Sequence, residues 1–215
     1  MRVALVVGVS GKLGKALIEV LLNNRHYKKI IVLTRREHSR FKNLHLKKVI
    51  VNFASITDFK ENFEGVDDVF CLLGKDYIST KNLDDAPLFE HQYPFNLAKV
   101  AKDAGVNNFY LVNPVAASLN ASKVELLQRA QLAADIDSLG FSNFCQFKVN
   151  KLRRNINMEG SYFAIFKSFR ALMRIFGSNL INKYQNTPAN LLAKKMVELA
   201  ISNSLGKKIF LPSDY

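Results

Sequence analysis

Apolar positions along this chain fall into short runs rich in β-branched residues, and these alternate with stretches of helical period. The first run, residues 3 to 8, leads straight into Gly8-Val9-Ser10-Gly11-Lys12-Leu13-Gly14 and then into a helix-period segment, Lys15 to Leu22. Continuous apolar runs of this length predict strands buried on both faces. A second, Lys28 to Thr34, ends in Arg35-Arg36. Leu46 to Phe53 predicts a third strand, Thr57 to Phe63 a short helix capped by a threonine or serine, and Val66 to Gly74 a fourth strand followed by a polar loop, Lys75 to Leu83. Helical period returns from Phe89 to Ala104, disturbed by Pro94 and stopped by Gly105. Asn108 to Val112 is a fifth strand, Lys123 to Leu139 a long helix ending at Gly140, and Asn143 to Phe147 a sixth strand.

The final third changes character. Lys148 to Asn157 is basic and reads as loop. Tyr162 to Phe176 predicts a helix with an apolar stripe of Phe163, Phe166, Phe169, Met173 and Phe176, while Lys167, Arg170 and Arg174 share another face. Thr187-Pro188 opens a last helix to about Ser202, with the proline in the first turn, and Lys208 to Leu211 is a closing strand. This alternation of strand and helix predicts an α/β fold, a doubly wound parallel sheet with helices on both faces.

Composition narrows the class. At 215 residues the chain suits one domain, with residues 1–147 as a cofactor-binding core and 148–215 as a portion facing substrate or partner. Hydrophobic residues at 48% and charged residues at 23% place it among globular rather than disordered chains. No apolar run approaches a membrane span, and Met1-Arg2 leads directly into the first strand, so a cytoplasmic protein without a leader is expected. Cys71 and Cys145 lie in apolar strands with no Cys-x-x-Cys spacing, and the four histidines are scattered; buried thiols and no metal site are expected. The net charge of +13 admits an acidic partner such as nucleic acid, an anionic lipid surface or a phosphorylated cofactor. The lysines are spread over the whole chain, for which solvated surface charge is the plainer explanation.

The glycine turn is where chemistry is most legible. Strand, glycine turn and helix in that order form the context of a dinucleotide-binding site. Gly8 lets the chain turn off the strand, Gly11 lets backbone approach a pyrophosphate, and Gly14 permits close packing of the helix, whose N–H groups and positive end then hold the phosphates. Ser10, Lys12 and Leu13 complete that turn. The end of the second strand lies beside the adenosine ribose in such folds, where an acidic residue serves NAD. Here Arg35 and Arg36 stand instead, with Arg40 near; guanidinium groups match a 2′-phosphate by charge and by bidentate geometry, so NADP (NADPH) is the expected cofactor. Leu73 and Gly74 sit at the carboxyl end of the fourth strand, where ligands of open α/β sheets lie.

Gly8-x-x-Gly11-x-x-Gly14, Arg35-Arg36, the segment Val66 to Gly74 and the segment Phe95 to Val106 together resemble the atypical short-chain dehydrogenase/reductases. Within these, the order is closest to the NmrA-like and Tat-interacting-protein-like oxidoreductase group. The resemblance covers nearly the whole chain and implies a Rossmann fold with NADP bound across the strand ends. It also implies contacts to adenine from Asn52, where the group commonly has aspartate, and from the neighbouring Phe53. Members that reduce carbonyls use a serine after the fifth strand and a Tyr-x-x-x-Lys in the next helix, the tyrosine passing the proton and the lysine lowering its pKa. Here Asn113-Pro114 takes the place of the serine, and the Tyr-x-x-x-Lys place falls near Glu125 to Arg129. Glutamate lacks a phenolic proton and arginine keeps its charge at all working pH values. Asn113, Glu125 and Arg129 are therefore the candidate catalytic positions, with Ser118, Ser122 and Lys123 close by if the register shifts; Tyr110, the tyrosine nearest this region, lies inside the strand.

Three functions follow. The chain is an NADP-binding protein of reductase ancestry with a degenerate site, acting as a cofactor-binding or sensing module. Alternatively it is an active NADPH-dependent oxidoreductase with a non-standard proton donor acting on a small molecule. In the third, Lys167, Arg170 and Arg174 meet nucleic acid or a membrane surface and the Rossmann domain is scaffold. Oligomer formation stays open, because the helices used for pairing in such proteins also serve the core.

Overall fold

A computed structural model describes residues 1–37, 43–73, 88–114, 123–149, 152–153, 187–202 and 205–214. Its centre is a sheet of seven parallel strands. These are β1 (Arg2–Val7), β2 (Tyr27–Thr34), β3 (Leu46–Ile50), β4 (Asp68–Cys71), β5 (Asn108–Pro114), β6 (Asn143–Val149) and a last strand, β9 (Gly206–Phe210). The spatial order is β3-β2-β1-β4-β5-β6-β9. Two further short strands, β7 (Leu152–Arg153) and β8 (Thr187–Pro188), pair with each other in parallel. The chain reverses direction across the sheet after β3, between β1 and β4, and this leaves a crevice at the carboxyl ends of the strands.

Side chains alternate between two apolar layers, as a pleated strand requires. Val3, Leu5, Val7, Leu33, Val69, Phe109 and Leu111 face the layer covered by α2 (Tyr93–Asp103) and α3 (Lys123–Ser138). Ala4, Val6, Val32, Phe70, Tyr110 and Phe147 face the other, covered by α1 (Lys12–Leu22) and α4 (Ala189–Ile201). The doubly wound parallel sheet expected from the sequence is the fold of this chain.

Local boundaries differ from expectation where capping and packing compete with periodicity. The helix expected over Thr57 to Phe63 is a longer run of 3₁₀-type turns, Phe53–Phe63, with Ser55 and Phe59 outside helical dihedrals. Its cap is neither threonine nor serine but Asn52, whose Oδ1 accepts from the Ala54 N–H at 3.0 Å. The third strand accordingly stops at Ile50. The expected helix from Phe89 divides into a π-type turn, Leu88–Gln92, and α2, with Pro94 in the first turn of α2, where a missing N–H costs nothing. Pro188 stands just outside α4 as its N-cap rather than within the first turn. Asn113 and Pro114 continue β5, and Lys148 and Val149 continue β6 in register with them, so the basic segment begins as strand rather than loop. The predicted helix Tyr162 to Phe176 with its basic face, the polar loop after β4, Gly74, Arg40, Ser118 and Ser122 lie outside the described residues.

Both cysteines are fully buried, Cys71 in β4 and Cys145 in β6. Burial pushes the Cys71 thiol up to about 12 and the Cys145 thiol up to about 11. Thiolate is the reactive form, so a thiol reagent at pH 8 is expected to leave the native chain unmodified and to label both cysteines after unfolding. Labelling of the native chain at the rate of a free thiol would show that β4 and β6 open readily.

At the amino edge of the sheet a buried carboxylate gathers four strands. Arg2 donates through Nε and Nη2 to Oδ2 and Oδ1 of Asp68, each at 2.6 Å. The Tyr27 hydroxyl donates to Oδ2 at 2.8 Å, and Asn108 Nδ2 to Oδ1 at 3.1 Å. Asp68 is fully buried; burial pushes its carboxyl up, opposed by the bonds from Arg2 and Tyr27. Burial, then the charge of Asp68, raises the Tyr27 phenol. Because this knot joins the starts of β1, β2, β4 and β5, it lies at the edge of the sheet opposite the crevice.

Candidate functional site

Parallel strands deliver all their carboxyl ends to one edge, and register decides what stands beside what. Val7 pairs with Leu33 on one side and Cys71 on the other, so Gly8 emerges between Thr34 and Leu72. The Leu72 N–H donates to the Val7 carbonyl at 3.0 Å, and the Val51 N–H to the Thr34 carbonyl at 2.9 Å. Across the edge the residues follow in the order Asn52-Phe53, Arg35-Arg36, the Gly8 to Gly14 turn, Leu72-Leu73 and Asn113.

The turn at its middle needs glycine at two positions, Gly8 and Gly14. Gly8 has φ +89°, and a Cβ built there would lie 2.5 Å from the Leu72 carbonyl oxygen. At Gly14 a Cβ would lie 2.5 Å from Val9 Cα and 2.6 Å from the Gly8 carbonyl oxygen. Gly14 therefore brings α1 against the backbone of the turn itself, not against the sheet. Gly11 occupies the N-cap of α1, and Lys15 N–H to Gly11 carbonyl, at 3.2 Å, is a bond of the first helical turn. The amides of that turn project beyond the helix end, where an anion is favoured. Ser10 and Lys12 are exposed at this mouth, whereas Leu13 is fully buried and offers only backbone.

Arg35 and Arg36 are both exposed after β2. Beyond them, Asn52 is exposed but its Oδ1 is engaged in the cap. Phe53 is 4% exposed and its ring lies 6.2 Å from that of Tyr93, so its side chain belongs to the core. Leu73 is also buried. A cradle that a Cβ would fill, a helix N-terminus opening onto it and exposed guanidinium groups to one side together fit a dinucleotide phosphate.

At the far end of the edge, Asn113 is buried and its Nδ2 donates to the Arg129 carbonyl at 3.0 Å. A carbonyl can only accept, so this bond fixes the amide orientation and uses one of the two Nδ2 protons. Arg129 is 8% exposed and its guanidinium is committed to Glu90, with Nε 2.7 Å from Oε2 and Nη2 3.3 Å from Oε1. Glu125 lies one turn earlier in α3. Tyr110 is remote from this group in the middle of β5, stacked at 4.8 Å on Phe70, with its oxygen accepting from Asn143. Burial raises the Tyr110 phenol, the opposite of what a proton-transferring tyrosine needs.

Two participants were not singled out from the sequence. Glu90 has no distinguishing neighbours in a helix-period segment. Thr34 carried a signal, a hydroxyl directly before the arginine pair: its Oγ1 donates to the Arg36 carbonyl at 2.9 Å and accepts from the Arg36 N–H at 3.4 Å.

A family model described as NAD(P)H-binding matches residues 8–136. The rat protein HTATIP2 is 25% identical over 150 residues; the alignment covers 66% of this chain and 60% of that protein, so the chain spans about three fifths of the relative's length. Among solved structures, the Bordetella bronchiseptica enzyme WbmH in complex with NAD+ superposes with a TM-score of 0.66 at 14% identity, covering 98% of this chain and 75% of the other. A short chain dehydrogenase family protein from Francisella tularensis gives 0.65 at 14% identity, covering 100% and 98%. The glycine cradle begins where the family match begins, and this chain belongs to the NAD(P)H-binding family, with a nicotinamide cofactor.

Proposed function

We propose that the chain binds NADP(H) across the carboxyl edge of its sheet and acts as a cofactor-binding or sensing protein of reductase ancestry rather than as a standard carbonyl reductase. The observation that carries this reading is the buried Glu90–Arg129 pair. Arg129 occupies the place where reducing members of the group hold a lysine against the cofactor, and its guanidinium here ties α3 to the turn before α2. Asn113, at the serine's place, is bonded to the same residue's carbonyl. Both groups serve the packing of helices onto β5, and Asn113 brings an amide, which passes no proton, where reducing members have a hydroxyl. The nicotinamide group, when bound, supplies hydride chemistry; the residues of this chain would hold its phosphates at Gly11 to Gly14 and its 2′-phosphate at Arg35 and Arg36.

Calorimetric titration with NADPH, NADP and NADH tests the reading. Micromolar NADPH binding with much weaker NADH binding is expected, and Arg35→Asp should weaken NADPH by on the order of 100-fold while changing NADH little, since a charge-assisted contact is replaced by repulsion. Equal losses for both nucleotides would remove Arg35 from the 2′-phosphate. Steady turnover of NADPH with carbonyl compounds, abolished in Glu125→Gln, would replace this reading with the second one, an oxidoreductase with a non-standard proton donor.

A further inference from the structure

We infer that Thr34 is the positioning residue for phosphate selectivity, holding the Arg35-Arg36 turn in the shape that presents both guanidinium groups; this rests on the NADP reading above. Thr34 ends β2 and is 7% exposed. Its single hydroxyl engages both polar backbone groups of Arg36, donating to the carbonyl at 2.9 Å and accepting from the N–H at 3.4 Å. A hydroxyl has one proton and two lone pairs, so one group can serve both partners. Its own carbonyl takes the Val51 N–H at 2.9 Å. Thr34 is thus tied on its backbone side to the end of β3, and on its side-chain side to the turn.

The arginines are exposed immediately beyond this clamp. An exposed pair on a loose turn must be ordered when a phosphate arrives, and that entropy opposes binding; a turn ordered beforehand spares it. A dianionic phosphate meets guanidinium groups bidentately, and such geometry suffers when the stems leave from a variable backbone. A 2′-hydroxyl makes no such demand on the arginines. The hydroxyl of Thr34 therefore acts on NADPH and not on NADH, without touching either.

Thr34→Val keeps the shape and removes the hydroxyl, and Thr34→Ser keeps the hydroxyl. Titration of the full chain with NADPH and NADH should show NADPH weakened about tenfold in Thr34→Val with NADH held within about twofold, and Thr34→Ser close to the natural chain. Melting temperatures of both variants, measured alongside, separate this from a loss of fold. Equal weakening of both nucleotides in Thr34→Val, or an unaltered preference for NADPH in it, overturns the inference and leaves the arginine reading standing. A natural chain that binds both nucleotides equally removes the arginine reading and this inference with it.

Discussion

Replacing Asp68 by alanine should destabilise the chain by about 3–5 kcal/mol, because removing one partner of a buried ion pair leaves the other uncompensated. The partner is Arg2, whose side chain is 17% exposed against 0% for Asp68, so water reaches the guanidinium only in part. Tyr27 and Asn108 lose acceptors in the same step. For a chain of this length the melting temperature should fall by on the order of 10 °C. Asp68→Asn retains one acceptor oxygen for Arg2 and should lose less. Denaturant unfolding of the three proteins measures this; a loss below about 1 kcal/mol in Asp68→Ala, the level of an exposed pair, would show that water replaces the carboxylate at the amino edge. The knot lies away from the crevice, so any folded fraction of Asp68→Ala should bind nucleotide with the affinity of the natural chain.

Gly8→Ala is expected to act on both stability and binding. The new Cβ would stand 2.5 Å from the Leu72 carbonyl oxygen, a backbone atom in hydrogen-bonded register with β1, and the residue would have to keep φ +89°. Left-handed strain alone costs about 1–2 kcal/mol, and a contact this short forces β1 and β4 apart at the crevice. A loss of about 2–4 kcal/mol in unfolding free energy is expected, with NADPH binding weakened by at least about tenfold, which corresponds to about 1.4 kcal/mol. Unfolding and titration of the same preparation read both quantities. Full binding in a stable Gly8→Ala would mean that the turn relaxes away from Leu72 and that close backbone approach is not how the cradle forms.

The contrast between these two positions separates what was legible from what was not. Gly8 announces itself because a β-branched run, a glycine triplet and a helical period follow one another in sequence, and each is set by local dihedral and periodicity preferences. The same local logic located β1 to β6, α1 and α3, though it extended β4 from Asp68–Cys71 to Val66–Gly74, and it placed Arg35 and Arg36 directly after β2. It misjudged segments where a local competitor was available: Asn52, one residue after Val51, caps the 3₁₀ turns and ends the strand that an apolar count would have prolonged to Phe53.

Asp68 could be seen as a charge inside an apolar strand, but nothing near it named its partner. Arg2 lies 66 residues away and meets it because β1 and β4 are neighbours in the sheet, with Ala4 opposite Asp68. Glu90 and Arg129 are 39 residues apart and are joined only by the packing of α3 against the turn before α2.

By itself the sequence determined the alternation of strand and helix, the glycine cradle, and the type of charge waiting at the end of β2, since those depend on neighbours within a few residues. Tertiary structure alone decided the strand order β3-β2-β1-β4-β5-β6-β9, that Phe53 turns into the core, that Arg129 is held by Glu90, and that Thr34 clamps Arg36. The physical reason is that burial and long-range pairing are properties of which surfaces meet. Many partners satisfy an isolated carboxylate or hydroxyl equally well, and only the packed sheet selects one of them.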